Sequence, residues 1–384
     1  MSQILIPGGL MTVPFWGFAS SATITQWQTI NATGETVHMC GQVMLENPNG
    51  GSKTISAAGG GKIIWRSGTT TFADAGTTVG IGLQDLSTAS SPAQGDGTFD
   101  VSASFTGGGG GITANAFQTS TMTSGSKTLS QGDPIAITFA MTARGGSDSV
   151  AVVNAANNNS QILGGALFPC VTDNTSGVYA RQVGSIPNAV IVFDDGTIGW
   201  IIGSALQSPA TALQYNANTG TADEYGNLIN LPCGFNAIGI GGGNVLLNNS
   251  SDCELLLYST PFGTPTVERI TIADATQISV ANNALNFAYL FSSPFLLKPN
   301  TDYAVTLRPT TANNTTIYYK DTLDSVTGRS GPPNSNCYAV RRLNNTGAFS
   351  DYNGGTAKTR MMSLWLIGSY LGQDTRFASY KLGI

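Results

Sequence analysis

Short runs in which apolar and polar residues alternate recur along the chain, and no helical period competes with them. "TVPFWGF" (12–18), "ETVHMCGQVML" (35–45), "GKIIWRS" (61–67) and "TTVGIGLQD" (77–85) are the clearest near the start. In an extended chain successive side chains point to opposite faces, so such runs mark strands with one face against a core. Clusters of Gly, Asn, Ser and Pro bound them, and these are the residues that turns require. A single short stretch, "PATALQ" (209–214), invites a helix. The fold class expected is all-β: two tandem antiparallel β-sandwich (jelly-roll-like) domains with little helix.

Two domains follow from length and from an internal echo. A chain of 384 residues exceeds what one core usually serves. "LKPNTDYAVTLRPTT" (297–311) follows "LSQGDPIAITFAMTA" (129–143) with matching turn and strand positions. Leu297 answers Leu129, and Asn300 answers Gly132. Tyr303, Val305 and Leu307 answer Ile135, Ile137 and Phe139. A looser echo links 61–85 to 237–259, each reading strand, Gly/Asn-rich loop, strand. The Asn-rich "NAANNNSQ" (154–161) reads as a linker. The expected division is 1–163 as an N-terminal β-sandwich and 164–384 as a C-terminal β-sandwich with a basic end. "AVIVFDDGTIGWII" (189–202) is the plainest hairpin, because Asp195-Gly196 supplies the positive φ of a tight turn.

Charged residues make up only 10% of the chain, against about 25% in typical domains. Hydroxyls, amides and glycine must therefore form much of the surface, which suits a protein packed against neighbours. The net charge of −5 gives no overall basic field, so nucleic acid is not an expected partner. The charge is uneven. From Arg329 onward seven Lys or Arg meet only Asp351 and Asp374, a local +5 that could dock on an acidic surface. Five scattered cysteines without a C-x-x-C pair read as buried thiols made in a reducing cytoplasm. The beginning "MSQILIPGGL" lacks the pattern of a signal peptide, and no run of about twenty apolar residues suggests a membrane span.

Chemistry is sparse. His38 is the single histidine, with Cys40 two residues on and hence on the same strand face. A nucleophilic site would have to use this pair, yet both sit in an apolar alternating run that reads as core. One histidine cannot build a multi-His metal site. Glycoside cleavage needs only two carboxylates roughly 5 to 10 Å apart. The candidates are Asp194, Asp195, Asp223, Glu224, Asp321 and Asp324, with "TADEYGN" (221–227) reading as a loop able to meet a cation or sugar. "AIGIGGGN" (237–244) and "TGGGGGITA" (106–114) lack the following helix that a phosphate loop needs. Trp16, Trp27, Trp65, Trp200 and Trp365, with Tyr318, Tyr319, Tyr352 and Tyr370, read as core or interface anchors before sugar platforms. No catalytic, cofactor-binding or metal-ligating residue is assigned, and no cofactor is expected.

The stretches "GTADEYGNLINLP", "CELLLYSTPFGTPTVERITI" and "LFSSPFLLKPNTDYAVTLRPTTANNTTIYYKD", with "GKIIWRSGTTTFADAGTTVGIGLQD" in the first half, resemble a group of β-sandwich structural proteins from tailed-bacteriophage virions. The resemblance covers roughly 60–320. It implies a non-enzymatic virion component, in the tail or fibre apparatus or on the capsid surface as a decoration protein. The implied partners are other virion proteins and copies of the chain itself, with a trimer as one option. It also implies synthesis in the host bacterial cytoplasm. The alternative is a carbohydrate-binding or receptor-recognition module that meets a host-surface glycan.

Overall fold

The computed structural model describes residues 11–13, 26–45, 50–86, 98–109, 111–156, 170–174, 180–182, 185–186, 189–201, 211–215, 223–231, 234–243, 245–247, 252–273, 286–310, 315–321, 337–352, 360–362 and 364–371. Among them the chain is built from β-strands, with one turn of 3-10 helix at Leu343–Asn345 and no α-helix. Every strand pairing is antiparallel. The all-β expectation holds. The strands fall into two compact units. One holds the strands from Gln26–Ile30 to Ile198–Ile201, and the other holds Met11–Val13 together with Thr211–Tyr215 to Leu364–Tyr370.

The first unit is organised around Thr36–Leu45. Its first half continues a sheet that runs Ser124–Leu129, Val101–Thr106, Thr78–Asp85, Pro134–Ala143 and then itself. Cys170–Asn174 pairs with the other side of that half. Its last residues pair instead with Ile198–Ile201, which leads to Ala189–Val192, Lys62–Arg66 and Phe117–Thr121. One long strand thus serves both layers. Alternation decides which side chains turn inward. Val79, Ile81 and Leu83 on one strand meet Ile137, Phe139 and Met141 on the next, and Ile63, Trp65 and Ile191 face them from the other layer. Trp65 and Phe139 touch edge to face with ring centroids 5.0 Å apart. Side chains of this size stabilise by about 1.5–3 kcal/mol each when fully removed from water.

The division between units falls near residue 206, later than the boundary expected at 163/164. The reason is pairing. Cys170–Asn174, Ala189–Val192 and Ile198–Ile201 complete the sheets of the first unit against strands laid down more than a hundred residues earlier. Of the Asn-rich 154–161 that suggested a linker, 154–156 belong to the strand Val150–Ala156, paired with Gln26–Ile30 and Ser185–Ile186, and 157–161 lie outside the described residues.

In the second unit one sheet runs Thr266–Ala273, Cys253–Ser259, Tyr303–Pro309, Glu224–Ile229, Tyr338–Arg342 and Ser350–Asp351. A second runs Met11–Val13, Leu364–Tyr370, Phe235–Gly243 and Asn286–Leu297. The buried Asn227 amide joins the two, donating to the carbonyls of Met362 at 2.8 Å and Leu364 at 2.7 Å and accepting the Met362 N–H at 2.7 Å. Thr211–Tyr215, which overlaps the stretch 209–214 read as a short helix, is a strand, because its backbone pairs with Thr315–Tyr319. The sequence echo has a structural counterpart. Pro134–Ala143 and Tyr303–Pro309 are both flanked on two sides within their sheets. Gly132 and Asn300, the matched turn residues before them, both adopt positive φ, 89° and 50°.

Candidate assembly surface

The acids of "TADEYGN" do not form an open site. Glu224 begins a strand and is fully buried. Arg342 donates to its Oε2 at 2.6 Å, Thr306 Oγ1 donates to its Oε1 at 2.5 Å, and the Tyr258 hydroxyl lies 3.3 Å away. The Arg342 guanidinium lies against two aromatic rings, 5.0 Å from the Tyr258 centroid and 4.7 Å from that of Phe349, and the rings themselves meet edge to face 5.2 Å apart. Burial, reinforced by the Glu224 charge, pushes the Tyr258 phenol well above its ordinary value. It stays protonated and can donate to the carboxylate while accepting from Arg342 at 2.8 Å. Arg308 adds a pair to Glu254 at 2.6 Å. Asp223 accepts the Asn344 N–H and so pins the 3-10 turn. The cluster is a satisfied structural knot. It also withdraws Arg342 from the basic C-terminal face, while Arg341 lies against the Tyr352 ring.

The remaining candidates disperse. His38 is fully buried, its two ring nitrogens bonded to the hydroxyls of Thr36 at 2.9 Å and Thr138 at 2.8 Å. Cys40, on the same face, packs with Leu86 and Ala136. Asp194 and Asp195 occupy the predicted hairpin turn, with Gly196 at φ 78°. Asp194 accepts the Ser56 N–H and hydroxyl at 2.8 and 2.6 Å. Asp321 ends a strand opposite Arg360, and Asp324 lies outside the described residues. Among the described residues no cluster could hold a metal ion. The "AIGIGGGN" glycines make room for aromatics. A Cβ at Gly241 would stand 2.1 Å from Nε1 of Trp365, and one at Gly242 would stand 2.3 Å from the Phe287 ring. Trp65 and Trp365 are core residues.

Asp195 yields a testable pH effect. Partial burial pushes its carboxyl upward, but hydrogen bonds from Lys53 and Thr197 and the Lys53 charge outweigh this and hold it down at about 2. A depressed value means that the pair stabilises fully above the ordinary 3.8 and ceases to do so as pH falls through about 2. Asp195→Asn should flatten the acid-side fall of the thermal midpoint across that window. The carboxylate is 47% exposed, so the contribution should not exceed about 1 kcal/mol. A midpoint-versus-pH series for both proteins checks it.

What the structure does leave open is a sheet edge. Thr266–Ala273 pairs on one side with Cys253–Ser259, and among the described residues nothing pairs on its other side. Val267, Ile270 and Ile272 are 47%, 47% and 49% exposed. A register shift at Glu268 places Val267 opposite Tyr258 while Ile270 and Ile272 stand opposite Leu256 and Glu254, so all three share one face. Arg269 points the other way. It donates to the carbonyls of Ser293 and Pro294 and lies 5.2 Å over the Phe295 ring. It thereby ties this edge to Asn286–Leu297, the edge of the second sheet, where Leu290 and Leu296 are also half exposed. The sequence signal was present but passed over: charges at Glu268 and Arg269 inside a β-branched run are typical of an edge strand.

No helix among the described residues is long and apolar enough to cross a membrane. No protein-family model matches the chain, and a search of curated proteins finds no match.

Proposed function

We propose that the chain is a non-enzymatic structural component of a bacteriophage virion, in the tail or fibre apparatus or on the capsid surface, and that it works by assembling with copies of itself and with other virion proteins. The observation that carries this reading is the pair of adjoining sheet edges in the second unit. Unpaired strand edges bearing aliphatic side chains are aggregation hazards in a solitary protein and are normally covered. Here Val267, Ile270, Ile272, Leu290 and Leu296 stand about half exposed along them. The low charge content and the resemblance of 60–320 to virion β-sandwich proteins point the same way. So does the fate of the acids and the histidine, which the fold spends on turns and buried networks.

The test is oligomeric state and location. Light scattering on the purified chain should give a mass that is a multiple of the 39.7 kDa monomer. Ile270→Lys with Ile272→Lys should return it to the monomer. Both positions are half exposed, so the thermal midpoint should move little. In particles, immuno-electron microscopy should place the chain on tail or capsid. A concentrated wild-type chain that stays monomeric and is absent from particles would sink the proposal.

A further inference from the structure

The ladder between Thr36–Leu45 and Cys170–Asn174 sets Cys170 directly opposite Cys40. Opposite residues in an antiparallel pair hold their Cα atoms about 4.5 to 5.5 Å apart. A disulfide accepts Cα separations of about 4.4 to 6.8 Å. Cys40 is buried, packed with Leu86 and Ala136. Cys253 and Cys337, also buried, belong to the other unit. The register therefore brings two cysteines from distant parts of the sequence to one rung of a central strand, and a reducing cytoplasm would keep them in the thiol form.

We propose that Cys40 and Cys170 form a redox pair that a disulfide oxidant closes into a cross-strand disulfide. With oxidised glutathione, one cysteine thiolate attacks the oxidant, forming a mixed disulfide and releasing one glutathione thiolate. The second cysteine thiolate then attacks the protein sulfur of that mixed disulfide and expels the other glutathione. One S–S bond breaks at each step and one forms. The protein loses two electrons and two protons, and two glutathione thiols take them up. The link fastens Cys170–Asn174 to the strand shared by both layers and closes a loop spanning most of the first unit. Its main effect is to restrict the unfolded chain. The inference is independent of the virion reading, since it needs only the register.

The full-length chain is incubated with oxidised glutathione, denatured, alkylated with iodoacetamide, digested and mapped by mass spectrometry. The expected product is a Cys40–Cys170 linked peptide, two hydrogens lighter than its separate parts and reversed by dithiothreitol. The oxidised protein should show a thermal midpoint higher by on the order of 10 °C. Cys170→Ser should abolish both results, and Cys233→Ser should keep them. The proposal is overturned if both cysteines are recovered alkylated, if Cys40 is linked to another cysteine, or if the reaction stops at the glutathione adduct. Should a serine variant fail to fold, the wild-type peptide map decides alone.

Discussion

Arg342→Met should destabilise the second unit by about 3–5 kcal/mol, because removing one member of a buried ion pair strands the other. Glu224 would keep the Thr306 hydroxyl and Tyr258, with Arg308 no nearer than 4.0 Å. In urea this should appear as an earlier midpoint with unchanged slope. Arg342→Lys should recover little. An ammonium cannot reach Glu224, Tyr258 and Asn345 together, nor lie flat against the Tyr258 and Phe349 rings as the planar guanidinium can. Adding Glu224→Gln to Arg342→Met should restore a large part of the loss, since the stranded charge is then gone. A loss below about 1 kcal/mol for Arg342→Met would mean that the carboxylate is not truly desolvated.

The largest effect expected in the first unit comes from Trp65→Ala. Trp65 is fully buried, packs edge to face on Phe139 and donates its indole N–H to Ser120 Oγ at 2.9 Å. The change removes apolar area, leaves a cavity between the layers and orphans a buried hydroxyl. Large-to-small core changes of this kind cost about 3–5 kcal/mol. Ser120→Ala isolates the hydrogen-bond part and should cost about 1 kcal/mol. Denaturant curves followed by near-UV circular dichroism separate the two. A Trp65→Ala loss no larger than that of Ser120→Ala would show that the core collapses around the gap.

These two sites show what the sequence disclosed and what it withheld. Trp65 lies in "GKIIWRS", whose apolar run is a local signal, and local signals were readable: the strands, the Asp194–Gly196 hairpin, and the matched turns at Gly132 and Asn300. Glu224 was read as part of a loop because acidic residues are poor in buried strands. Its burial is permitted by Arg342, which lies far along the chain and carries no local mark. The same holds for the unit boundary. An Asn-rich stretch looks like a linker from inside the sequence, whereas the strands beyond it find their partners in Thr36–Leu45 and Lys62–Arg66. The edge at Thr266–Ala273 was legible in composition, yet exposure is a property of what is missing beside a strand, and no residue encodes that directly.

The pairing of Met11–Val13 with Leu364–Tyr370 has a consequence for biosynthesis. Met11–Val13 leaves the ribosome more than 350 residues ahead of its partner. At about 5–20 residues per second, roughly 20–70 s separate the two. The described strands of the first unit, the last of them Ile198–Ile201, are out long before then, but the second cannot close this sheet until Leu364–Tyr370 has joined Phe235–Gly243. The nascent chain must carry Met11–Val13 without this partner until Leu364–Tyr370 has emerged. Closure of this sheet is therefore a late step in the folding of the second unit, and tags placed ahead of Met11 would burden it.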